Sequence, residues 1–387
     1  MRTATKGCFT LARVHDLCSM DHSLESQRSS PKKRPKLVLS NIYDRATLER
    51  RLAAEPFLRR TLSFYRYVRL EDPKTLREQL FLEWDALGVL GRVYVAREGI
   101  NAQISVPQHN WEAFDSALNN WPQFASMPYK FAIEDDGKSF IKLAIKVRHQ
   151  IVADGLSEDQ YDVTNVGRHL SAAQWNELSK DESAIVVDMR NHYESEVGHF
   201  KGALLPEADT FKEELPEVLQ KLRGKEDAPV LLYCTGGVRC EKTSAYLKHH
   251  GFQNVNQLHG GIIDYVRQVA NENLDNTFMG VNFVFDQRLG ERVSDDVIAH
   301  CHQCGSPWDR HSNCANKACN LLFLQCPECA TQHQGTCSSD CQDVLNSSPE
   351  HQAEIRSRAG SRDHSRRFHR ARPSEFSAGE FAPKTLK

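Results

Sequence analysis

The alternation of apolar and polar residues predicts a small α+β domain in the first part of the chain. Thr61–Val68 alternates with the two-residue period of a half-buried strand. Asp72 and Pro73 supply a capping residue and a first-turn proline for a helix that is predicted to end near Leu87. Later segments predict one more helix and four more strands, at Trp111–Leu118 and at Gly91–Ala96, Asn101–Val106, Tyr129–Ile133 and Phe140–Lys146. The order βαββαβ is the ferredoxin-like arrangement, whose sheet leaves one face open.

A parallel α/β domain is predicted next, because short apolar runs alternate there with helical segments. The run Ala184–Val187 ends at Asp188, two residues before Arg190, and the run Pro229–Tyr233 ends at Cys234. Ligand-binding and catalytic groups of open α/β sheets lie at the carboxyl ends of the strands. We therefore expect Cys234 to share a crevice with Asp188 and Arg190, whose alternative role is a structural ion pair.

Composition is typical of a globular protein with packed cores and no membrane span. Of the 387 residues, 40% are apolar, and no run approaches the roughly 18 apolar residues of a membrane helix. The opening residues lack the long apolar core of a secretory signal. These features predict a cytoplasmic protein with no membrane partner, and they leave the oligomeric state open.

Charge is distributed unevenly along the chain. Residues 1–41 contain 8 Lys and Arg against 3 Asp and Glu, and residues 350–387 contain 9 against 5, although the net charge is −2. We predict a disordered basic extension at 1–41 and a disordered arginine-rich tail at 346–387. Such segments bind phosphates without reading sequence, so an anionic partner such as RNA is expected. An organelle-type presequence is the alternative for the extension.

The segment that follows Cys234 has the features of an anion-binding loop. Two glycines, at 236 and 237, permit the positive φ angles that turn N–H groups inward, and a helix is predicted to begin near Cys240. With Arg239, these donors would stabilise a thiolate, so we expect a depressed pKa for Cys234. A buried structural cysteine is the alternative, and Cys240 is either a resolving or a packing residue. The predicted site comprises Cys234 and Arg239 as catalytic residues, with Thr235, Gly236, Gly237, Val238, Cys240, Asp188 and Arg190 as secondary residues.

Four closely spaced cysteine pairs lie near the carboxyl end. They are Cys301 and Cys304, Cys314 and Cys319, Cys326 and Cys329, and Cys337 and Cys341. Eight thiols at these spacings fit two tetrahedral zinc sites, and an iron–sulfur cluster or free thiols are the alternatives. The spacing does not distinguish sequential from crossed pairing. The nearby alternative ligands are His300, His302, His311 and His333.

Three motifs around the loop resemble a rhodanese domain. They are DMRNHYESEVGHFKGA at 188–203, LLYCTGGVRCEKTSAYLKHHGF at 231–252 and LHGGIIDY at 258–265. Rhodanese-like enzymes carry a persulfide on a cysteine that opens a six-residue loop, which here runs from Cys234 to Arg239. This length resembles the sulfur-handling members rather than the related phosphatases, whose loop is one residue longer.

Beyond these motifs, the chain resembles one family almost continuously, the bacterial rhodanese-related tRNA uridine hydroxylases. The resemblance rests on TLSFYRY at 61–67, GRVYVAREGINAQISVP at 91–107, DDGKSF at 135–140, KVRHQIVADG at 146–155 and the cysteine-rich end. It implies an α/β multidomain protein. The implied domains are a ferredoxin-like (acylphosphatase-like) α+β domain at 42–152, a rhodanese-like parallel α/β domain at 153–278 and a small zinc-ribbon-like segment at 279–345.

The resemblance also implies an activity, the oxygen-dependent hydroxylation of the wobble uridine of tRNA, position 34, to 5-hydroxyuridine. The implied co-substrate is O2, the active residue is Cys234 and the partner is the anticodon loop of tRNA. The sequence contains no glycine-rich dinucleotide fingerprint and no persuasive haem or two-histidine-one-carboxylate motif. The oxidative reaction therefore rests on the resemblance, and the electron donor stays unassigned.

Our hypothesis for the chemistry is that the Cys234 thiolate adds to C6 of the uracil and makes C5 nucleophilic towards O2. One alternative is a sulfurtransferase that acts through a Cys234 persulfide on tRNA or a small thiol. The other alternative is a non-catalytic RNA-binding protein.

Overall fold

The computed structural model describes residues 39–135, 137–157 and 160–360. Nearly all of the basic extension predicted at 1–41 lies outside these residues. The first helix, α1 (Arg45–Ala53), begins where the Asp44 carboxylate accepts a hydrogen bond from the Thr47 N–H, as expected for an N-cap.

The N-terminal domain is a five-stranded sheet with two helices on one face. Its elements are β1 (Arg59–Tyr67), α2 (Pro73–Ala86), β2 (Leu90–Ala96), β3 (Gly99–Pro107), α3 (Trp111–Asn119), β4 (Lys130–Phe131) and β5 (Leu143–Val147). The strand order is β4-β1-β3-β2-β5, with β5 parallel to β2 and the other pairs antiparallel. The predicted βαββαβ order is confirmed, and the further strand expected at Phe140–Lys146 is the edge strand β5.

The two faces of this sheet have different surroundings. Phe64 on β1 is buried with Trp84 of α2 and Phe114 of α3 in one core, because alternate strand residues point to the helix-covered face. The intervening residues of β1, among them Tyr65 and Tyr67, point to the opposite face, which we call the open face. Part of the open face lies against the next domain.

The central domain is built on a parallel sheet in the order β6-β10-β9-β7. Its strands are β6 (Arg168–Leu170), β7 (Ile185–Asp188), β8 (Gly198–Phe200), β9 (Val230–Tyr233) and β10 (Val255–Leu258). Its helices are α4 (Ala172–Leu178), α5 (His192–Ser195), α6 (Phe211–Lys221), α7 (Val238–His249) and α8 (Gly261–Glu272). All four residues of β9 are buried, which explains their continuous apolar run.

The C-terminal segment packs on the central domain through a small sheet. Its elements are β11 (Phe278–Asn282), β12 (Glu291–Arg292), β13 (His311–Asn313), β14 (Leu322–Leu324), α9 (Pro327–Gln332), α10 (Ser339–Asn346) and α11 (Pro349–Gly360). Strand β11 lies between β12 and β8. This sheet therefore crosses the domain boundary that was predicted between residues 278 and 279.

Lys242 on α7 joins the N-terminal and central domains. Its ammonium lies 2.9 Å from a carboxylate oxygen of Glu98 and 3.0 Å from one of Asp154, and it donates to the Val152 carbonyl oxygen at 3.0 Å. The Lys242 side chain is only 1% exposed. Its buried charge is therefore fully paired.

The predicted disorder of the tail is wrong for residues Pro349–Gly360, which form α11. The helix has local support, because the Ser348 hydroxyl accepts from the His351 N–H and Glu354 pairs with Arg358 one turn later. The remainder of the predicted tail, 361–387, lies outside the described residues. In the part of the chain that is described, no helix has both the length and the apolar character of a membrane span.

Candidate active site

Cys234 follows β9 and opens a loop that turns back over its own sulfur. The Gly237 N–H donates a hydrogen bond to the Cys234 Sγ at 3.1 Å, and Gly237 has a φ of 93° as the residue before α7. Gly236 does not have a positive φ, so that expectation is wrong for one of the two glycines. Helix α7 starts at Val238, two residues earlier than predicted, because a single left-handed residue already turns the chain into the helix.

The Cys234 thiol is fully buried and yet acidic. Burial raises its pKa, but a hydrogen bond from the Cys240 thiol, the charge of Arg239 and the N–H groups of both residues outweigh burial and lower the pKa to about 5. The pKa of Cys240 is raised by burial and by the neighbouring sulfur. At neutral pH Cys234 is therefore the thiolate, and Cys240 is its protonated donor.

We expect the ionisation of Cys234 to have its midpoint near pH 5, well below the usual thiol value of about 8.5. The measurement is thiolate absorbance against pH, taken as the difference between the wild type and Cys234→Ala. Replacing Cys240 with Ala removes a donor to the thiolate, so the midpoint should rise. A wild-type midpoint at the usual thiol value would contradict the assignment.

Arg239 forms a buried, bidentate ion pair with Glu194 of α5. The two nitrogen–oxygen distances are 2.7 and 2.9 Å. Glu194 also accepts a hydrogen bond from the Asn191 N–H at the start of α5. Glu194 was not among the predicted site residues. The spacing of Asn191 and Glu194 is that of a capping box, which is the signal that could have identified it. The pair fixes the guanidinium, whose charge in turn favours the Cys234 thiolate.

A second buried carboxyl group, that of Glu214 on α6, lies near this pair. Neither of its oxygens has a hydrogen-bond partner among the described residues. Burial raises its pKa well above the usual range, and the charge of Arg239 offsets only part of the rise. The neutral form of Glu214 is therefore favoured, and Glu194 and the Cys234 thiolate are the negative charges that favour the charged form of Arg239.

Asp188 and Arg190 form an ion pair inside the central domain. Two hydrogen bonds of 2.7 and 2.8 Å join them, the Tyr233 hydroxyl donates to the same carboxylate at 2.7 Å, and both side chains are fully buried. They lie beside Cys234 at the ends of adjacent strands, because Asp188 and Tyr233 are in register. Neither of them, nor the buried Cys234 itself, is among the residues that line the cleft described below.

The adjacent glycines of the LHGGIIDY motif let α8 start directly against the loop. Gly261 has a φ of 68°, and a Cβ there would lie 2.5 Å from the Cys234 carbonyl oxygen. The next N–H, that of Ile262, donates to this same oxygen at 3.0 Å. Any side chain at 261 would therefore displace the backbone of Cys234.

The open face of the N-terminal sheet covers the loop and leaves a cleft beside it. The Tyr65 hydroxyl donates to Glu241 at 3.0 Å, and the Tyr67 hydroxyl donates to the Val238 carbonyl oxygen at 3.1 Å. The cleft has a volume of about 350 Å³. Its walls include Tyr65, Tyr67 and Lys130 from the N-terminal sheet and His169, His259 and Asp264 from the central domain. The sequence patterns did not identify these residues as part of a site.

The eight cysteines of the C-terminal segment form two groups with crossed pairing. One group is Cys301, Cys304, Cys326 and Cys329, and the other is Cys314, Cys319, Cys337 and Cys341. The sulfurs of each group lie within 4.8 Å of one another, and the close pairs are 3.6 to 3.8 Å apart. Tetrahedral zinc with bonds of about 2.3 Å places its sulfurs about 3.8 Å apart. Both groups therefore fit a metal ion.

The four histidines that were alternative ligands lie outside both groups. His302, for example, is 2.8 Å from a carboxylate oxygen of Glu196 and so connects the segment to the central domain. Within the described residues, each of the two groups that could hold a metal ion consists of cysteines only.

Comparison with known families agrees with this architecture. Residues 59–151 match the UPF0176 acylphosphatase like domain, residues 171–268 match the Rhodanese-like domain, and residues 279–342 match the Rhodanase C-terminal family. The predicted fold class is confirmed.

Curated relatives match nearly the whole chain. A tRNA uridine(34) hydroxylase of Leptospira interrogans is 56% identical over 330 residues, which cover 85% of this chain and 89% of the relative. An enzyme of the same name from Pectobacterium carotovorum is 50% identical over 83% of this chain and 90% of its own length. A third, from Yersinia pestis, is 50% identical over 84% of this chain and 91% of its own length. The chain therefore belongs to the tRNA uridine(34) hydroxylase family.

Proposed function

We propose that this chain hydroxylates C5 of the wobble uridine of tRNA, with O2 as co-substrate and Cys234 as nucleophile. The observation that carries the proposal is the 56% identity to a relative named for this reaction, over 85% of the chain. The acidic thiol of Cys234 supports the same assignment, because the reaction needs a nucleophile that is ionised at neutral pH.

The proposed reaction starts with addition of the Cys234 thiolate to C6 of the uracil. A C–S bond forms, and an electron pair moves to the C4 carbonyl oxygen, which makes C5 nucleophilic. C5 then bonds to one oxygen atom of O2. Two electrons from an external reductant, together with protons, release the other oxygen atom as water. Loss of the C5 proton and cleavage of the C–S bond restore the base and the thiolate.

Sulfur transfer through a Cys234 persulfide is the second candidate. The six-residue loop favours it, because a sulfur bonded to Cys234 would meet the same N–H donors that hold the thiolate. A non-catalytic RNA-binding role is disfavoured by these features, since a structural cysteine has no need of a lowered pKa.

The exposed part of the open face supports binding of the anticodon arm. A cross-strand row runs from Tyr65 in the cleft through Asn101 and Tyr94 to Lys146 on the edge strand. The Arg148 guanidinium lies 5.5 Å from the centre of the Tyr94 ring. Cations contact phosphates and aromatic rings stack on unpaired bases. The row would therefore lead an RNA strand from the surface to the cleft.

We also propose that each cysteine group holds one structural zinc ion. Four thiolates complete a tetrahedral site and leave no open position for a substrate. The role of the metal would be to fix the loops of the C-terminal segment, which contains only short strands and helices.

The proposed function is tested by mass spectrometry of tRNA nucleosides from cells with and without the protein. Loss of 5-hydroxyuridine without the protein is expected, and purified protein supplied with ¹⁸O2 and a reductant should place one heavy oxygen atom on the base. Loss of a thiolated base instead would favour the sulfurtransferase. An unlabelled product would show that the oxygen atom does not come from O2.

A further inference from the structure

Lys130 is a buried cation that no described residue neutralises directly. It lies on β4, is 4% exposed, and forms no ion pair or hydrogen bond through its ammonium among the described residues. Its Nζ atom lies 4.6 Å from the centre of the Tyr65 ring. Lys242 is equally buried but has three oxygen partners. An ammonium without a hydrogen-bond acceptor is unfavourable in a protein interior. Lys130 can therefore donate a hydrogen bond to an acceptor atom of a bound ligand.

The ligand would lie in the cleft beside Cys234. Lys130 lines this cleft, and its side chain would contact a Cβ placed on Gly236 of the loop at 3.7 Å. The cleft volume of about 350 Å³ lies within the range of about 300–1,000 Å³ that is usual for small-ligand sites. An acceptor bound to Lys130 would therefore lie beside the loop that Cys234 opens.

Four flat rings contribute to the walls of the cleft. The Tyr65 and Tyr67 rings of the N-terminal sheet lie 6.1 Å apart, and their hydroxyls donate hydrogen bonds to the central domain. The His169 and His259 rings of the central domain lie 5.8 Å apart. Unstacked bases are held by rings of this kind, which favours a planar heterocycle over an extended ligand.

Asp264 supplies the complementary acceptor. It lines the same cleft, and its charge acts on Lys130 through space without a direct ion pair between them. One Asp264 oxygen lies 3.9 Å from a nitrogen of Arg267. A donor and an acceptor that line the same cleft correspond in chemical type to one edge of uracil, where the C4 carbonyl oxygen accepts and N3–H donates. Cytosine presents the opposite pattern, an amino group and an unprotonated N3, and would be repelled at both points.

We propose that this cleft binds the target uracil, with Lys130 donating to the C4 oxygen and Asp264 accepting from N3–H. The inference rests on the proposed function and adds to it the residues that select the base. Lys130 would also stabilise the negative charge that moves to the C4 oxygen when Cys234 adds to C6.

The test measures binding of two anticodon stem-loops that differ only in U34 or C34, without O2 or reductant. Wild-type protein should prefer U34 by about tenfold or more, and Lys130→Met should weaken U34 binding by a similar factor. In Asp264→Asn, the amide can donate to cytosine N3, so the preference should fall to about threefold or less. Lys74→Met is the matched control, because Lys74 is an exposed lysine of the same domain at the start of α2.

The outcomes separate this inference from the proposed function. Wild-type affinity for U34 in Lys130→Met, or an unchanged preference in Asp264→Asn, overturns the inference even if the wild type makes 5-hydroxyuridine. Failure of wild-type protein to hydroxylate tRNA, together with a U34 preference that depends on both residues, would instead overturn the proposed reaction and keep the cleft as a uracil site. Thermal unfolding of each variant shows whether a loss of binding reflects a loss of folding.

Discussion

A chain that carries both Cys304→Ala and Cys329→Ala is expected to retain one zinc ion, whereas a chain that carries Cys304→Ala and Cys319→Ala retains none. The first pair of changes removes two ligands from the same cysteine group, and the second removes one ligand from each group. The effect should be large, because structural zinc contributes about 10–16 kcal/mol of binding free energy that is also folding free energy.

The measurement is zinc content after dialysis against a chelator. The chelator concentration is chosen with the single variant Cys304→Ala. At this concentration, the site that has lost one cysteine releases its zinc ion and the intact site retains its own. Sequential pairing would reverse the two results, so the experiment distinguishes the two arrangements. Two ions lost from Cys304→Ala at every concentration would show that the sites are not independent.

Replacing Cys234 with Ala is expected to lower the rate of 5-hydroxyuridine formation by more than about a thousandfold, because the nucleophile is removed. Cys240→Ala is the matched control, since this residue is equally buried and six positions away. It should retain most of the activity at neutral pH, because the Cys240 thiol only assists ionisation of Cys234.

A stem-loop with 5-fluorouridine at the target position tests the covalent step. Fluorine at C5 blocks the proton loss that releases the enzyme, so a covalent adduct should accumulate with the wild type and Cys240→Ala but not with Cys234→Ala. Hydroxylation by the wild type without any adduct would refute addition of Cys234 to C6 and would favour a reaction through a Cys234 persulfide. Undiminished hydroxylation by Cys234→Ala would remove this residue from the mechanism.

Elements with local signals were predictable from the sequence. Strand β1 was expected at Thr61–Val68 and lies at Arg59–Tyr67, and α2 begins at Pro73 after the Asp72 cap as expected. In both cases the information lies within a few neighbouring residues. The position of Cys234 at the end of β9 was predictable for the same reason, because a buried apolar run leads directly to it.

Contacts between distant segments were not predictable in this way. Glu194 and Arg239 are 45 positions apart, and only the folded domain brings them together. Lys130 lies on a strand of two residues, too short to show a period, and its role arises from packing of two domains. The crossed cysteine groups occur together with a hydrogen bond from the His302 N–H to the Leu324 carbonyl oxygen, a contact that cysteine spacing does not encode.

The crossed pairing also has a consequence for the order of synthesis. When the ribosome has made the first four cysteines of the segment, it has made half of each site and neither site complete. Zinc captured by these four thiols would be held by the wrong set of ligands. The two groups are complete only after Cys329 and then Cys341 have emerged, so correct loading of the proposed zinc ions requires either late binding or exchange of an early ion. Cells with excess free zinc during translation should therefore accumulate more of the misfolded chain.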